Sequence, residues 1–584
     1  MNTLASTSTS ASDSILLYNA TILSFCSNSQ QNKQAMYQAI YIEDGKIVEI
    51  GTNENILKKF SHSSLPKIKK NQNKIQIIDL KNKFVLPGFI ESHAHILGIG
   101  RMKLRLNVNN LSCEDEMVQK VLDYYYYNCN CNSNSFNKNN SHWILGRGWD
   151  QNRWDKKELP TNQKLSKAIP DTPVLLTRVD GHAALANKCA LNLAGIGKYT
   201  KDPDGGKIIR NSNSDSNPKQ EGEPTGILID NAIDLVRKII PQETIEEKRQ
   251  FLKLAIEECL KMGVTSLVEA QTDQELLTLI KEFEKNGELK IKVHPLYDGF
   301  DQNHRSIKLF LDGALGSYGA YLQTPYNDRP SEIGLKTIEE NKLFEIFCQA
   351  INNNIQIAAH ALGDGAVTYF IDIYEKALAK TKVKEKDIND TKDIKDIESI
   401  SRNLRFRIEH AELIDPRDIK RIKNLGLILS MQPTHCTSDM HWINERIGEI
   451  RSKERFCIWK TLLNENITLA FGTDAPIESL NPFDTIYAAI TRQDKLLQWR
   501  ADGGFNEKEK LSIGETIKAM TMDAAYSIFQ EDNIGSLSIG KAADLIVIDK
   551  NIFDENIIKN NPSEILNSKV LMTMVNGKVH YQNI

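Results

Sequence analysis

The stretch Phe84-Val85-Leu86-Pro87-Gly88-Phe89-Ile90-Glu91-Ser92-His93-Ala94-His95 carries the most information in this chain. A short apolar run leads into two histidines one residue apart. On a strand, alternate side chains share a side, so His93 and His95 point the same way. Two imidazoles so placed can grip one metal ion, and the alanine between them leaves room for it. By themselves the two read equally well as unrelated polar residues at a strand end. That tie is broken by ligand-type residues at the ends of later apolar runs.

Those runs lie at 263–269, 290–296, 306–311, 355–360, 405–410, 426–431 and 467–474. With the run before His93 they make eight. Helical patterns separate several of them, at Asp273–Asn286, Glu339–Asn353 and Val367–Ala379. Eight strands with interleaved helices predict an α/β fold, a closed (β/α)₈ barrel spanning 87–534. Residues 100–262 read as a long insertion after the first strand. Strand-like segments in 15–86 and 535–584 are each too small for a core of their own and together predict one small β-sandwich domain. Two polar stretches, Asn128–Asn140 and Thr381–Ser399, read as solvated loops.

The chain has 584 residues, 40% hydrophobic and 26% charged, which is ordinary for a soluble globular protein. A net charge of −3 gives no electrostatic reason to expect nucleic acid or an anionic membrane. The nine cysteines form no CxxC pair and read as free thiols in a reducing compartment. Met1–Ser14 has no Lys or Arg and no apolar core, so it resembles no export or transit signal. No apolar run is long enough to span a membrane. The expectation is a cytoplasmic protein acting on a small molecule, with a homodimer as the default assembly.

Active sites of such barrels lie at the C-terminal ends of the strands. There this sequence places His93, His95, Lys308 followed by Asp312-Gly313, His360, Glu409-His410 and Asp474. The set resembles the amidohydrolase superfamily. The resemblance rests on Pro87–His95, His360-Ala361-Leu362-Gly363-Asp364-Gly365, Arg407-Ile408-Glu409-His410-Ala411 and Gly472-Thr473-Asp474-Ala475-Pro476. Lys308–Ala314, Gly146–Asp150, Asp180–Leu185 and Gly540–Leu545 are similar to the amidohydrolase 3 branch, which includes YtcJ-like proteins and N-substituted formamide deformylases.

The resemblance implies a metal-dependent hydrolase of non-peptide C–N bonds, amide or formamide-like, using metal-activated water. It implies one or two divalent ions, with zinc the default. His93 and His95 would hold the first with Asp474, and His360 and His410 the second. Lys308 would bridge them after carbon dioxide converts it to a carbamate; the alternative for Lys308 is a salt-bridged strand lysine, with Asp312 as partner. Asp474 would move the proton, against a plain capping role before Ala475-Pro476. His182 is expected to contact the substrate or its oxyanion, or else to sit at the barrel lip. Trp149, Asp312 and Gln432 are expected at the pocket, with Trp154, Tyr318, Asp364 and His435 as weaker candidates. Glu409 should point away from the site and be structural.

Two rival readings remain. A mononuclear deaminase of the same superfamily expects a catalytic Glu soon after the strand-five histidine, where this chain has Ala361-Leu362-Gly363-Asp364. A non-catalytic scaffold on the same barrel would have lost ligands that this chain keeps.

Overall fold

Gly88 divides the opening stretch between two sheets. The computed structural model describes residues 14–24, 35–60, 75–130, 143–151, 154–179, 181, 183–203, 206–211, 222–384, 393–496 and 503–583. In it, Gln76–Pro87 belongs to a sheet built from the chain's terminal segments, and Phe89–Ala94 starts a barrel. A side chain at position 88 would collide with Thr265, whose Cγ2 and Oγ1 lie 2.3 Å from where a Cβ would sit.

Eight strands form the barrel: β1 (Phe89–Ala94), β2 (Val264–Thr272), β3 (Lys292–Asp298), β4 (Ser306–Phe310), β5 (Gln356–Ala361), β6 (Arg407–His410), β7 (Ile428–Met431) and β8 (Thr468–Phe471). Each is parallel to the next in sequence. All eight fall where the apolar runs predicted them. The ring is nearly closed. Beyond the strand ends, the Asp474 N–H donates to the His93 carbonyl and the His95 N–H to the Ala475 carbonyl, both at 2.8 Å.

Glu91 fastens that seam from inside. Its carboxylate accepts from the His93 N–H at 3.0 Å, the Thr473 N–H at 2.9 Å and the Thr473 hydroxyl at 2.8 Å. Gly472 makes the approach feasible, because a Cβ there would lie 2.2 Å from Glu91 Oε1 and 2.7 Å from the His93 nitrogen.

Period-two alternation sorts the strand residues into two environments. Ile307, Leu309, Ile357, Ala359, Ile408, Leu429, Leu469 and Phe471 belong to the large core packed with the helices. Ile90, Val268, Leu296, Ala358, Ile428 and Ala470 form a separate apolar cluster with Ala524, Ala525 and Ile528. On β5 the alternation runs Gln356, Ala358, His360, so this second cluster underlies the rim where the histidine sits.

Helices form where the sequence predicted them, at Gln274–Lys285, Glu340–Asn352 and Asp364–Lys384. The first shows the local cause: Asp273 caps it by accepting from the Leu276 N–H at 2.8 Å, and Leu276, Leu277, Leu279, Ile280 and Phe283 are buried on one face. One prediction fails. Much of Thr381–Ser399 is helical, within Asp364–Lys384 and Asp393–Leu404, and only 385–392 lies outside the described residues. The second of these helices is polar overall but amphipathic, so its composition hid a 3.6-residue period. Of Asn128–Asn140, residues 128–130 end a helix and the rest lies outside the described residues.

Strands from both terminal segments pair in one eight-stranded sheet, ordered 578–582, 570–575, 545–548, 76–87, 14–24, 39–43 and 46–51, with 35–37 on 14–24. It falls in the same compact unit as the barrel. Leu97–Leu254 forms a second unit, against the expected 100–262, and the helix Ile245–Lys261 runs across its far boundary. This unit has its own six-stranded sheet with apolar clusters around Trp149 and around Ala184. Among the described cysteines, Cys113, Cys189, Cys259, Cys436 and Cys457 are free thiols. No described helix is long and apolar enough to cross a membrane.

Replacing Gly472 by alanine should push Glu91 off the seam and destabilise the barrel by about 1–3 kcal/mol, the usual range for overpacking. A denaturation midpoint equal to that of the parent protein would show that the close approach is not needed.

Candidate metal centre

The residues predicted at the strand ends gather. The rings of His95, His93, His410 and His360 stand in a file, with centroid separations of 5.9, 4.7 and 4.7 Å. Asp474 lies beside them, its Oδ1 at 3.3 Å from His95 Nε2 and 3.7 Å from His93 Nε2. His93, His410 and Asp474 offer ligand atoms all within 4.8 Å of one another. This trio crosses the expected division of the histidines into two pairs. Lys308 on β4 is 1% exposed, with its amine 5.1 Å from the Phe310 ring, and that ring is 5.5 Å from His360.

Backbone geometry completes the gathering. On β6, Ile408 faces the outer core, and regular alternation would send His410 the same way. Instead His410 has φ 70° and Ala411 φ 45°, while Asp474 has φ 56°. Positive φ is uncommon for residues with a Cβ, and such strain concentrates at functional sites.

Hydrogen bonds from the far side of the rings fix their tautomers. His93 Nδ1 is 2.6 Å from Glu409 Oε2, and His410 Nδ1 is 2.8 Å from Gln432 Oε1. Both oxygens are acceptors, so each Nδ1 carries the proton and each Nε2 keeps a lone pair for a cation. Glu409 is held in turn by Arg407, which donates from Nε to Oε1 at 2.8 Å and from Nη2 to Oε2 at 3.1 Å. Arg407 Nη2 also donates to the Ser92 carbonyl at 2.8 Å and to Ser430 Oγ at 3.1 Å. Burial pushes Glu409 up, but Arg407 and His93 outweigh it and hold this carboxyl well below the usual range. On the other flank, Glu269 Oε1 is 4.0 Å from His95 Nδ1, and its carboxylate accepts from the Ile96 N–H.

Burial, with Lys308 nearby, pushes His93 down to about 4 and His360 to about 3, and burial holds His410 well below its ordinary value. These rings are neutral near pH 7, the form that coordinates metals. Burial likewise lowers Lys308. Two buried atoms, His360 Nε2 and Asp474 Oδ1, have no hydrogen-bond partner. Leaving such groups unsatisfied costs about 1–3 kcal/mol each, and a divalent cation among imidazole and carboxylate donors satisfies both. The residues present fit a metal ion.

Several expectations change. Glu409 does not merely point away from His410; it orients His93. Gln432 serves His410 through its amide rather than an open pocket. Asp312 is no pocket wall: its buried carboxylate accepts from the backbone N–H groups of Tyr321, Leu362 and Gly363 at 2.9, 3.0 and 2.9 Å. It is therefore committed to the loops after β4 and β5 rather than to an ion pair with Lys308. Asp364 binds the Gln323 N–H and Arg455. Trp149 is fully buried in the insertion's own core, its indole N–H donating to the Leu176 carbonyl at 2.7 Å, and Trp154 packs near it. His182 lies outside the described residues. His435 does reach the centre, with Nε2 3.9 Å from Asp474 Oδ2 and Nδ1 3.2 Å from Glu412 Oε1.

Comparisons with known proteins find the following similarities. The family model described as the amidohydrolase family matches residues 76–581. A putative amidohydrolase YtcJ of Bacillus subtilis is 29% identical, over 93% of this chain and 96% of that protein. Protein LONG AFTER FAR-RED 3 of Arabidopsis thaliana is 30% identical, over 86% and 83% respectively. An N-substituted formamide deformylase of Arthrobacter pascens is 21% identical over 93% and 95%. Among solved structures, an uncharacterized metal-dependent hydrolase from Pyrococcus furiosus superposes with a TM-score of 0.66 at 26% identity, covering 93% of this chain and 100% of that one.

Substituting Glu409 by glutamine should lower metal affinity about 10–100-fold, the usual effect of losing a partner behind a ligand histidine. It should also destabilise the fold by about 3–5 kcal/mol, because Arg407 loses its buried counter-charge. Metal titration of the apo-protein and a denaturation curve measure the two effects; unchanged affinity would dissociate Glu409 from the centre.

Proposed function

The chain belongs to the amidohydrolase family, and from that premise we propose that it hydrolyses a non-peptide C–N bond in a small amide or formamide-like substrate. The observation that supports this reading is that His93, His410 and Asp474 offer ligand atoms within reach of one ion, with His360 Nε2 and Asp474 Oδ1 buried and without a hydrogen-bond partner. The printed name of the deformylase relative supports the choice of a formamide-like bond.

In this reading His93, His95, His360, His410 and Asp474 hold one or two divalent ions, with zinc the default for imidazole and carboxylate donors. A bound ion supplies a water whose pKa falls to about 7 and a Lewis acid for the carbonyl oxygen. Lys308 would supply the amine for a carbamate: burial favours its neutral form, which would attack carbon dioxide and lose a proton to leave an anionic group able to help hold the ions. An unmodified ammonium at that place would repel the cations. Asp474 takes the proton of the attacking water and returns it to the nitrogen as the C–N bond breaks. The free thiols of Cys113, Cys189, Cys259, Cys436 and Cys457 support a cytoplasmic setting.

Metal analysis combined with assays on a panel of N-formyl and N-acyl amines tests the reaction class. Release of formate or a carboxylate is expected, whereas ammonia released from amino-heterocycles would favour the deaminase. Lys308→Ala should lose bridging metal and activity, and short carboxylic acids should restore part of the activity; full activity without them would overturn the bridge. Asp474→Asn should lower kcat by about 10²–10⁴, the range for a proton-transfer residue, and undiminished turnover would remove Asp474 from that role.

A further inference from the structure

Three strand ends bring carboxylates together beside the metal centre, and the scheme above uses none of these three. Glu412 follows β6, Asp439 ends the short helix Pro433–Asp439 after β7, and Glu478 comes shortly after Asp474, beyond β8. The short helix gathers them. Glu412 Oε1 sits 3.2 Å from His435 Nδ1, and Ser438 donates its hydroxyl to Glu478 Oε1 at 2.6 Å. Glu412 and Glu478 are also the carboxylates whose charge acts on Asp439.

This group lacks a counter-charge. Among the described residues, no lysine or arginine makes an ion pair with Glu412, Asp439 or Glu478. Arg492 acts on the neighbouring Cys436, but its Nε and Nη1 hydrogens go to the Phe505 and Cys457 carbonyls. A second observation points to a ligand. Glu412 is 4% exposed; one of its oxygens faces His435, and the other, Oε2, is buried without a hydrogen-bond partner. A buried carboxylate oxygen left without a donor is costly. A neutral donor would satisfy that oxygen and leave the charge of the carboxylates unmatched. An ammonium supplies three donors and the missing positive charge together. Ser438, Asp439 and Glu478 are half-buried, so the group is reached from their side and closed at Glu412.

We propose that Glu412 and Glu478, with Asp439 beside them, form a subsite for a primary ammonium group of the substrate, which makes the substrates N-formylated or N-acylated diamines. The proposal rests on the amide-hydrolase reading above and names its substrate class. The His435 ring stands between Glu412 and Asp474, its Nε2 3.9 Å from Asp474 Oδ2. The ammonium and the scissile bond therefore sit at the two ends of a short methylene chain that passes this ring. Charged hydrogen bonds at the far end select an ammonium over a methyl group of the same size, because an apolar end would leave the carboxylates unpaired.

The test uses the metal-loaded protein and two substrates of one length: N-formylputrescine, which ends in an ammonium, and N-formylpentylamine, which ends in a methyl. The parent should show a kcat/KM about 10–100-fold higher for N-formylputrescine, the worth of hydrogen bonding to a charged group. In Glu478→Gln and in Glu412→Gln that ratio should fall by about fivefold or more, mainly through KM, with metal content kept. The subsite is overturned if the parent's ratio lies within about threefold of one, if both variants keep the parent's ratio, or if the ratio falls only in step with metal content. Should Glu412→Gln fail to fold, Glu478→Gln decides by the same criteria. A parent protein inactive on both compounds and on the wider panel sinks the amide-hydrolase reading. Calorimetry of the two uncleaved compounds on the parent and Glu478→Gln then judges the subsite on its own: tighter binding of N-formylputrescine that Glu478→Gln abolishes supports it, and equal binding of the two by the parent overturns it.

Discussion

The contact on which the rest depends is the buried run Arg407–Glu409–His93. Three side chains from two non-adjacent strands meet inside the barrel, where charges are costly unless matched. Arg407 and Glu409 match each other, and Arg407 spends its other hydrogens on Ser92 and Ser430, which belong to β1 and β7. One guanidinium thus ties three strands in register and shares with His93 the Oε2 of Glu409. The orientation of the His93 ring follows from that arrangement and not from the ring's own surroundings.

Above this layer the barrel holds mutually unfavourable groups. A lysine and several imidazoles crowd a space from which water is largely removed; burial and Lys308 disfavour the charged form of the rings, and Asp474 opposes this only in part. The apolar cluster below, from Ile90 to Ala470, supplies the burial that holds them together. Positive φ at His410 and Asp474 adds strain that only a well-packed frame can maintain. A cation resolves most of these tensions at once, so such a site is stable as a binding site while poor as an empty core.

Much of this was legible in the sequence, because each barrel strand is a short apolar run and several end in a ligand-type residue. His93, His95, Lys308, His360, His410 and Asp474 could be named from position alone. The supporting residues could not. Glu409 faces inward by the same alternation that turns Ile408 outward, and His410 joins it only through a left-handed backbone that no spacing rule announces. Glu91 became a seam clamp only once Gly472 was seen to lie against it. Trp149 and Asp312 were drawn toward the site by their neighbours in sequence, yet one fills the insertion's core and the other binds three backbone amides. The helix Asp393–Leu404 was hidden by its polar composition. Selectivity lies in the loops, and a sequence without its folded partners is silent on which loop faces which atom.

The terminal sheet has a consequence for how the protein is made. Gln76–Pro87, the strand that leads into β1, lies between Ser14–Ser24 and Leu545–Ile548. On the ribosome its first neighbour emerges early and its second only after the whole barrel has been translated. Until then one edge of the sheet carries open backbone donors and acceptors, a template for pairing with another nascent chain. A C-terminal truncation that removed Leu545–Ile548 while keeping the whole barrel would leave that edge of Gln76–Pro87 unpaired.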